Sequence, residues 1–312
     1  MRHPPDDGWP GRRRDSPRAR PGTRRPAAGG GSSPGLAGTE ADGRGVVPRP
    51  ADGVAAVSDP RLDLSFDGAV ARMTIRRPEK LNALDAAMVD ALVPLCRAVE
   101  RSAAKVLILT GDGEKSFSAG GDVAAWSALD PAEFARHWIR DGHAGFDALA
   151  RLSQPVIAVL NGHCLGGGLE LAACADYRIA ESHARIGLPE TGLGITPGWS
   201  GTQRTARRFG TQLIRRMALF GEVYSADEAL RLSLVDKVVG KGDGLAAAEQ
   251  LAAIVAGRSA TATELAKMLI NAAEGEERER VLDAFAGRIA AGSDDLRAGL
   301  AAFREKGRRS RD

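Results

Sequence analysis

The sequence has few cysteines and no long apolar stretch, and both facts limit the class of protein that it encodes. Only three of the 312 residues are cysteines, Cys96, Cys164 and Cys174, and no two of them form a C-x-x-C pair. Three cysteines do not make a disulfide scaffold, so a reducing, cytoplasmic setting is the simplest interpretation. No stretch approaches the roughly 18–20 uninterrupted apolar residues of a membrane-spanning helix. We therefore expect neither a disulfide-rich secreted protein nor an integral membrane protein, and no membrane partner.

Histidine is also scarce, and its spacing argues against a metal centre. None of the five histidines forms an H-x-x-x-H or H-E-x-x-H pattern, so we expect no bound metal. Two nucleotide-binding motifs are missing as well, because the glycine clusters have neither the G-x-G-x-x-G spacing nor a following Gly-Lys-Ser/Thr. Around Ser200, the nucleophile elbow of a serine hydrolase would need glycine at the position that Thr202 occupies.

Residues 1–58 have few large apolar side chains and differ in composition from the rest of the chain. They hold 9 of the 16 prolines, 11 of the 38 glycines and only seven large apolar residues. Such a segment cannot bury enough surface to offset the entropy lost on ordering, so we expect it to be disordered. Its ten arginines and six acidic residues give it a charge of +4, which leaves −1 for residues 59–312 in a chain of net charge +3.

The arginines of this tail leave more than one role open. Those at 12–14 are suited to contact nucleic acid or an acidic partner, which would describe an RNA-binding or scaffold protein built on an enzyme-like body. Trp9 is the only aromatic residue of the tail, however, so few side chains are present for base stacking. We therefore do not expect nucleic-acid binding, and we interpret the tail as a solvated extension or as a start site assigned too early.

From about Asp59 onward, short apolar runs alternate with helical periodicity, which is typical of an α/β protein. The sequence predicts strands where an apolar run ends in turn residues, at 70–75, 105–110, 155–160, 177–180 and 234–239. It predicts helices where apolar residues recur every three or four positions, at 84–99, 131–152, 169–173, 246–256, 261–273, 278–291 and 294–306. Strand signals fade after about residue 202, so we expect an α/β body followed by a helical module.

Three glycine-rich clusters carry the candidate chemistry. The densest covers 161–170, where three glycines separate an apolar strand from a helix and allow a ligand to approach backbone N–H groups. The others cover 117–123 and 187–204. Each also has a purely structural interpretation: a tight turn with a carboxylate on the helix dipole, a loop with Asp122 as a helix cap, and a long loop with a solvated Glu190.

Four motifs follow one another in a recognisable order and spacing. They are RPEKLNAL at 77–84, FSAGGD at 117–122, NGHCLGGGLE at 161–170, and PE at 189–190 followed by PGWSGTQR at 197–204. Together they resemble the enoyl-CoA hydratase/isomerase (crotonase) family. The likeness runs from about Leu62 to Lys306 and includes the closing segment GLAAFREK at 299–306.

This resemblance implies a fold, a domain organisation and an oligomeric state. The fold would be α/β, a crotonase (ClpP-like) spiral of β-β-α units with a C-terminal all-helical trimerisation module. The chain would divide into the disordered tail at 1–58, a spiral core with the acyl-CoA site at 59–254, and the helical module at 255–312. The assembly would be a homotrimer or a homohexamer.

The resemblance also implies an acyl-CoA substrate and no separate cofactor, because coenzyme A is part of the substrate. The thioester oxygen would accept hydrogen bonds from the backbone N–H groups of Gly121 and Gly167. Each donor of such an oxyanion hole stabilises an enolate-like transition state by roughly 3–4 kcal/mol. The residues expected to surround the CoA and the acyl group are Lys80, Ala83, Ala119, Gly120, Asp122, Val123, Gly166 and, near a subunit interface, Phe303 and Lys306.

Two glutamates decide the reaction within this family. Many members keep only one of the two, hydratases keep both, and this sequence has Glu170 and Glu190 at the matching positions. By resemblance, Glu170 would activate the water that attacks Cβ, and Glu190 would protonate Cα. The expected activity is that of an enoyl-CoA hydratase, a hydro-lyase of fatty acid metabolism. A double-bond isomerase, hydrolase or decarboxylase acting on another acyl-CoA is the alternative.

The dipeptide Trp199-Ser200 departs from the family pattern. Hydratases of the family commonly carry small residues such as Ala-Gly between Pro-Gly and Gly-Thr-Gln. Trp199, which follows Gly198, either narrows the acyl pocket or packs outward on the loop, since a bulky ring serves both uses. The length and branching of the acyl group stay open.

Overall fold

The computed structural model describes residues 59–291, 293, 294, 296–298, 300, 301 and 305. The expected disorder of the tail, and the positions of Phe303 and Lys306, lie outside these residues. Within the described part, no helix is both long and apolar enough to cross a membrane. No group of three or more His, Cys, Asp or Glu side chains there is arranged to hold a metal ion.

The described residues confirm the alternation of strands and helices. The strands are β1 Leu62–Asp67, β2 Val70–Ile75, β3 Val106–Gly111, β4 Ser116–Ser118, β5 Val156–Leu160, β6 His163–Leu165, β7 Tyr177–Glu181, β8 Arg185–Gly187, β9 Val223–Ser225 and β10 Lys237–Val239. The helices are α1 Ala86–Glu100, α2 Val123–Trp126, α3 Pro131–Glu133, α4 Asp141–Ala150, α5 Gly167–Ala172, α6 Arg204–Phe209, α7 Thr211–Phe220, α8 Ala226–Arg231, α9 Gly244–Ala256, α10 Ala260–Glu274 and α11 Arg278–Ala291.

The first long helix shows how local sequence sets these elements. Asp85 is the N-cap of α1, where its carboxylate accepts a hydrogen bond from the Met88 N–H. Met88, Leu92 and Val99 then recur on one face and are buried in the core. The helix predicted over 84–99 is therefore confirmed with its start shifted to the residue after the cap.

Two sheets organise the body. The larger sheet has the order β1-β2-β3-β5-β7-β10, in which β1 and β2 are antiparallel and every later pair is parallel. The smaller sheet has the order β4-β6-β8-β9, in which only β8 and β9 are antiparallel. Strands β3, β5 and β7 are buried along most of their length, as their continuous apolar runs predict.

The chain alternates between the two sheets in a regular way. After β3, β5 and β7 in the larger sheet, the next strands, β4, β6 and β8, each belong to the smaller sheet. After β4 and β6 a helical segment leads back to the larger sheet, so the unit is β-β-α and the path is a spiral. After β8, helices α6 and α7 lead first to β9 of the smaller sheet, and α8 then leads to β10 of the larger sheet. This is the fold class that the resemblance implies.

The sequence patterns missed the smaller sheet. Strands β4, β6, β8 and β9 have three residues each, which is too short for an alternation of polar and apolar residues to be read. The edge strand β1 was also missed, because most of its residues are half-buried or exposed. Both failures concern strands that bury little apolar surface of their own.

The long predicted helix at 131–152 is confirmed as one continuous helical path with an irregular centre. A seven-residue π-helix, Phe134–Arg140, joins α3 to α4. Helices of this type are rare and frequently mark functional sites. Within this segment the Trp138 side chain is buried.

Helices α9 and α10, which follow β10 in the chain, pack on the body. Ala248 and Ala252 of α9 belong to the apolar cluster on the outer face of the larger sheet. Lys267 of α10 is buried and donates hydrogen bonds to Gln154 O (2.9 Å) and Asp176 Oδ2 (2.7 Å). The division between a core at 59–254 and a module at 255–312 stays a prediction, and it falls just before α9 ends at Ala256.

A buried ion cluster ties the connection between α10 and α11 to the body. The Arg204 side chain is 1% exposed, and its Nη2 contacts Asp147 Oδ1 at 2.6 Å and also Glu276 Oε1. Arg207 contacts the other oxygen of Glu276. Because the Arg204 and Glu276 side chains are removed from water, loss of either one would leave the other buried charge poorly compensated.

We expect Glu276→Gln to lower the free energy of unfolding by about 3 kcal/mol, since it removes one of the two carboxylates that compensate the buried Arg204. Urea denaturation followed by circular dichroism measures this change. Glu222→Gln is the matched control, because it breaks an ion pair with Arg216 whose two side chains are about 40% exposed and should barely move the midpoint. Equal urea midpoints for Glu276→Gln and Glu222→Gln would contradict a stabilising role for the buried ion cluster.

Candidate active site

Three loops meet at one edge of the smaller sheet. Strands β4, β6 and β8 are parallel neighbours, so the segments after Ser118, Leu165 and Gly187 leave the sheet side by side. These segments are the three glycine-rich clusters of the sequence. They enclose a cavity of about 80 Å³ lined by Ala119, Gly121, Val123, Trp126, Phe134, Trp138, Ile139, Gly166, Gly167, Glu170, Pro189, Glu190, Leu193, Ile195, Thr196, Gly198 and Trp199.

Two backbone N–H groups of this cavity are available to a ligand. Gly167 begins α5, so its N–H has no partner within the helix. Gly121 and Leu84 form an isolated β-bridge, in which Leu84 donates to the Gly120 carbonyl and accepts from the Asp122 N–H. The Gly121 N–H takes no part in this bridge. The two loops touch, since a Cβ on Gly120, which has φ +96°, would lie 2.8 Å from the Gly167 nitrogen.

Glu170 lies on the first turn of α5 and is 3% exposed. Its Oε1 accepts hydrogen bonds from the Trp199 N–H (2.6 Å) and the Gly201 N–H (2.7 Å). Burial and the nearby Glu190 raise the pKa of Glu170 to about 8, while the two N–H donors and the charge of Arg204 act in the opposite direction. The carboxyl group is thus fixed in place by the backbone of another loop.

Glu190 starts the short helix that follows β8 and is also buried. Neither oxygen of its carboxyl group has a hydrogen-bond partner among the described residues. Burial raises the pKa of Glu190 to about 7. A buried and unpaired carboxyl group costs free energy, so its presence in a cavity points to a ligand or reactant as the missing partner. The interpretation of Glu190 as a solvated loop residue is therefore wrong.

The loop that holds Glu170 is strained at one residue. Ser200 has φ +72°, a conformation that non-glycine residues adopt at a cost of about 1–2 kcal/mol. This turn lets the N–H groups on both sides of Ser200 point at the same carboxylate oxygen. Strain of this kind commonly persists where the surrounding structure requires it for function.

Trp199 packs inward and not outward on the loop. Its side chain is 2% exposed and its indole N–H donates to Trp138 O at 2.9 Å. The ring packs against Trp138 and Phe146, with centroids 4.9 and 5.0 Å apart. It also lines the cavity, so the ring reduces the space beside the two glutamates.

The other residues expected at the site divide into two groups. Those that line the cavity are Ala119, Gly121, Val123, Gly166, Gly167 and Gly198, whereas Gly120 lies directly behind it. Lys80 and Ala83 lie outside the cavity, and Lys80 is exposed. Asp122 caps α2 and contacts Arg77 at 2.9 Å, so its structural interpretation is confirmed.

Sequence reasoning missed the aromatic and aliphatic wall of the cavity. Trp126, Phe134, Trp138 and Ile139 reach it from α2 and the π-helix. Three aromatic residues within 126–138, in a chain that is only 4% aromatic, were the available signal. Ser200 was also missed as a conformational element, because positive φ at a serine leaves no mark in the sequence.

Comparisons with known proteins agree on one family. The sequence profile of the enoyl-CoA hydratase/isomerase family matches residues 65–310. A crotonyl-CoA hydratase of Syntrophomonas wolfei is 38% identical over 251 residues, which are 78% of this chain and 94% of that protein. A short-chain-enoyl-CoA hydratase of Clostridium acetobutylicum is 41% identical over 209 residues, which are 67% of this chain and 80% of that protein.

Solved structures show the same likeness in three dimensions. Pseudomonas aeruginosa DspI superposes with a TM-score of 0.67 at 36% identity, covering 81% of this chain and 98% of that one. An enoyl-CoA hydratase of Bacillus anthracis gives a TM-score of 0.67 at 32% identity, covering 79% and 96% of the two chains. Sequence and structure thus place this chain among the same relatives.

Burial of Glu190 predicts a pH-dependent difference in stability between the wild type and Glu190→Gln. Folding raises the pKa of this carboxyl group from 4.5 to about 7, so between these values the folded protein binds more protons than the unfolded chain. The wild type therefore loses stability as the pH rises through this window, whereas glutamine does not titrate. We expect the variant to gain about 1.4 kcal/mol over the wild type for each unit of pKa shift by pH 8.

Urea denaturation at pH 5, 6, 7 and 8 measures this difference. Glu249→Gln is the matched control, because this side chain is half exposed and pairs with Arg72 at the surface. The control should follow the wild type at each pH. Parallel curves for the wild type and Glu190→Gln would show that Glu190 is not held in an unfavourable ionised state.

Proposed function

The chain belongs to the enoyl-CoA hydratase/isomerase family, and from this premise we propose that it is an enoyl-CoA hydratase, adding water across the 2,3 double bond of a 2-enoyl-CoA to give a 3-hydroxyacyl-CoA. The observation that carries the proposal is the pair of buried carboxyl groups, Glu170 and Glu190, in one small cavity. The names of the two hydratases cited above support the same reaction.

The backbone N–H groups of Gly121 and Gly167 form the oxyanion hole of this proposal. Attack of water at Cβ of the enoyl thioester moves negative charge onto the thioester oxygen. Two fixed donors stabilise that charge without having to reorient as it develops. The close approach of the two loops supports this role, since they bring both N–H groups to the wall of the same cavity.

The two glutamates divide the acid–base work. Glu170 acts as the base that takes a proton from water, and Glu190 acts as the acid that protonates Cα. Two hydrogen bonds from backbone N–H groups favour the ionised form of Glu170. When Glu190 is protonated it no longer repels a charge on Glu170, so burial of both groups favours one proton shared between them.

The remaining roles follow the family pattern. Lys80, Ala83, Ala119, Gly120, Asp122, Val123 and Gly166 would surround the CoA and the acyl group, with Phe303 and Lys306 approaching from near a subunit interface. The chemistry uses side chains and backbone of this chain, so the proposal includes no separate cofactor.

A homotrimer or homohexamer is supported by exposed apolar side chains such as Leu219 and Phe220 at the end of α7, 62% and 77% exposed. Three buried, unpaired cysteines are consistent with a reducing cytoplasmic setting.

We expect purified protein to remove the absorbance of the conjugated enoyl thioester when it is given crotonyl-CoA. Glu170→Gln and Glu190→Gln should each lower kcat by about 10²–10⁴-fold, because each removes a proton-transfer group from the transition state. Glu249→Gln is the control and should keep the activity of the wild type. Undiminished hydration in either glutamine variant would disprove the two-glutamate mechanism.

Mass spectrometry of the products separates this reaction from others of the family. Hydration adds one water to the substrate, isomerisation leaves its mass unchanged, and hydrolysis releases free coenzyme A. A product of unchanged mass would show that the double bond is moved rather than hydrated.

The oxyanion hole predicts a specific effect of Gly120→Ala. The added methyl group would lie 2.8 Å from the Gly167 nitrogen, where it displaces the N–H from the thioester oxygen. We expect kcat for crotonyl-CoA to fall by about 10²-fold or more, which is the usual effect of removing one hydrogen-bond donor from an oxyanion hole. Gly68→Ala is the control, since Gly68 also has positive φ (+55°) and a Cβ there meets no atom within 4 Å. Equal kcat values for the two variants would contradict the assignment of Gly167 as a donor.

A further inference from the structure

The Trp199 side chain occupies the space beside both groups of the oxyanion hole. A Cβ on Gly167 would lie 2.7 Å from Cζ3 of this indole, and a Cβ on Gly121 would lie 3.5 Å from its Cη2. The ring is therefore within contact distance of the two loops that the thioester must approach. An acyl chain that extends from the thioester past the glutamates meets this ring.

The indole is held in one position from several sides. Its N–H donates to Trp138 O, and the ring packs between Trp138 and Phe146. Gly142 on α4 provides the room, since a methyl group at that position would overlap the indole nitrogen. Rotation of the side chain would break the hydrogen bond and both ring contacts, so the ring is a fixed wall rather than a movable cover.

The space that the ring leaves is small. The cavity volume is about 80 Å³, below the roughly 300–1,000 Å³ of pockets that bury drug-sized ligands. Trp126, Phe134 and Ile139 also line the cavity and add apolar bulk to its wall.

We propose that Trp199, fixed by Trp138 and seated against Gly142, is the end wall of the acyl pocket and restricts the enzyme to short straight-chain 2-enoyl-CoA substrates. This inference rests on the proposed function, because it assigns the substrate class of that same site. Trp199 has two separate tasks. Its backbone N–H holds Glu170, whereas its ring sets the length of the acyl group.

The test compares kcat/KM for crotonyl-CoA, 2-hexenoyl-CoA and 2-octenoyl-CoA in the full-length wild type, Trp199→Phe and Trp199→Ala. The wild type should prefer the four-carbon over the eight-carbon substrate by about 10²-fold or more. Trp199→Ala should reduce this ratio at least about tenfold, and Trp199→Phe should give an intermediate value. An unchanged ratio in both variants would overturn the proposal.

The ratio remains informative when a variant is partly unfolded. Two substrates are compared within one preparation, so the fraction of folded protein cancels. Trp199→Phe keeps most of the buried ring and provides a readout where Trp199→Ala does not fold. Leu213→Ala in α7 is the matched control, because it removes a buried side chain in the core away from the cavity. It should lower stability and leave the substrate ratio unchanged.

Calorimetric binding of the saturated thioesters butanoyl-CoA and octanoyl-CoA separates failure of this inference from failure of the proposed function. These ligands cannot be hydrated, so their affinity depends only on fit. Tighter binding of butanoyl-CoA in the wild type, with the preference lost in Trp199→Ala, supports the end wall even where no hydration occurs. Equal affinities in the wild type, or no binding of either thioester, would overturn it, while hydration of crotonyl-CoA would still support the proposed function.

Discussion

The structure of the site depends on how a buried carboxylate is held. Glu170 is inside the protein, and its Oε1 takes both of its hydrogen bonds from the loop at 199–201. That loop must therefore be fixed, and the chain fixes it by continuing at once into α6, where Arg204 is anchored by Asp147 and Glu276. The connection between α10 and α11 thus supports the candidate active site through a buried ion cluster, although it contributes no residue to the cavity.

The smaller sheet explains why distant parts of the sequence share one cavity. Parallel neighbours end at the same edge, so the loops after β4, β6 and β8 meet although they are separated by insertions of different length. Between β4 and β5 the chain forms α2, α3, the π-helix and α4, whereas between β6 and β7 it forms only α5. These unequal insertions also explain why a β-β-α spiral shows no repeat of fixed period in the sequence.

The sequence predicts the parts of the fold and site that bury long apolar runs or depend on residue identity. Strands β3, β5 and β7, helix α1 and the C-terminal helices follow from periodicity, and the family motifs identify Gly121, Gly167 and the two glutamates as the residues to examine. Three-residue strands, the π-helix and the positive φ of Ser200 do not follow, because tertiary contacts and not local preference decide them. Whether Trp199 packs inward also depended on Gly142, a residue 57 positions earlier that no local pattern connects to it.

In the proposed site, the two parts of residue 199 have separate roles. Its backbone N–H holds Glu170, and its side chain limits the space for the acyl group. A backbone N–H is present whatever the side chain, so any residue other than proline at 199 can donate to Glu170 and preserve the acid–base machinery. The side chain is then free to differ, provided that the opposite helix leaves room for it. A tryptophan at 199 with a glycine at 142 is one such combination, and a small residue at 199 would leave a deeper cavity above the same carboxylates. A change in acyl preference within this architecture therefore requires no change in the groups that we propose perform the reaction.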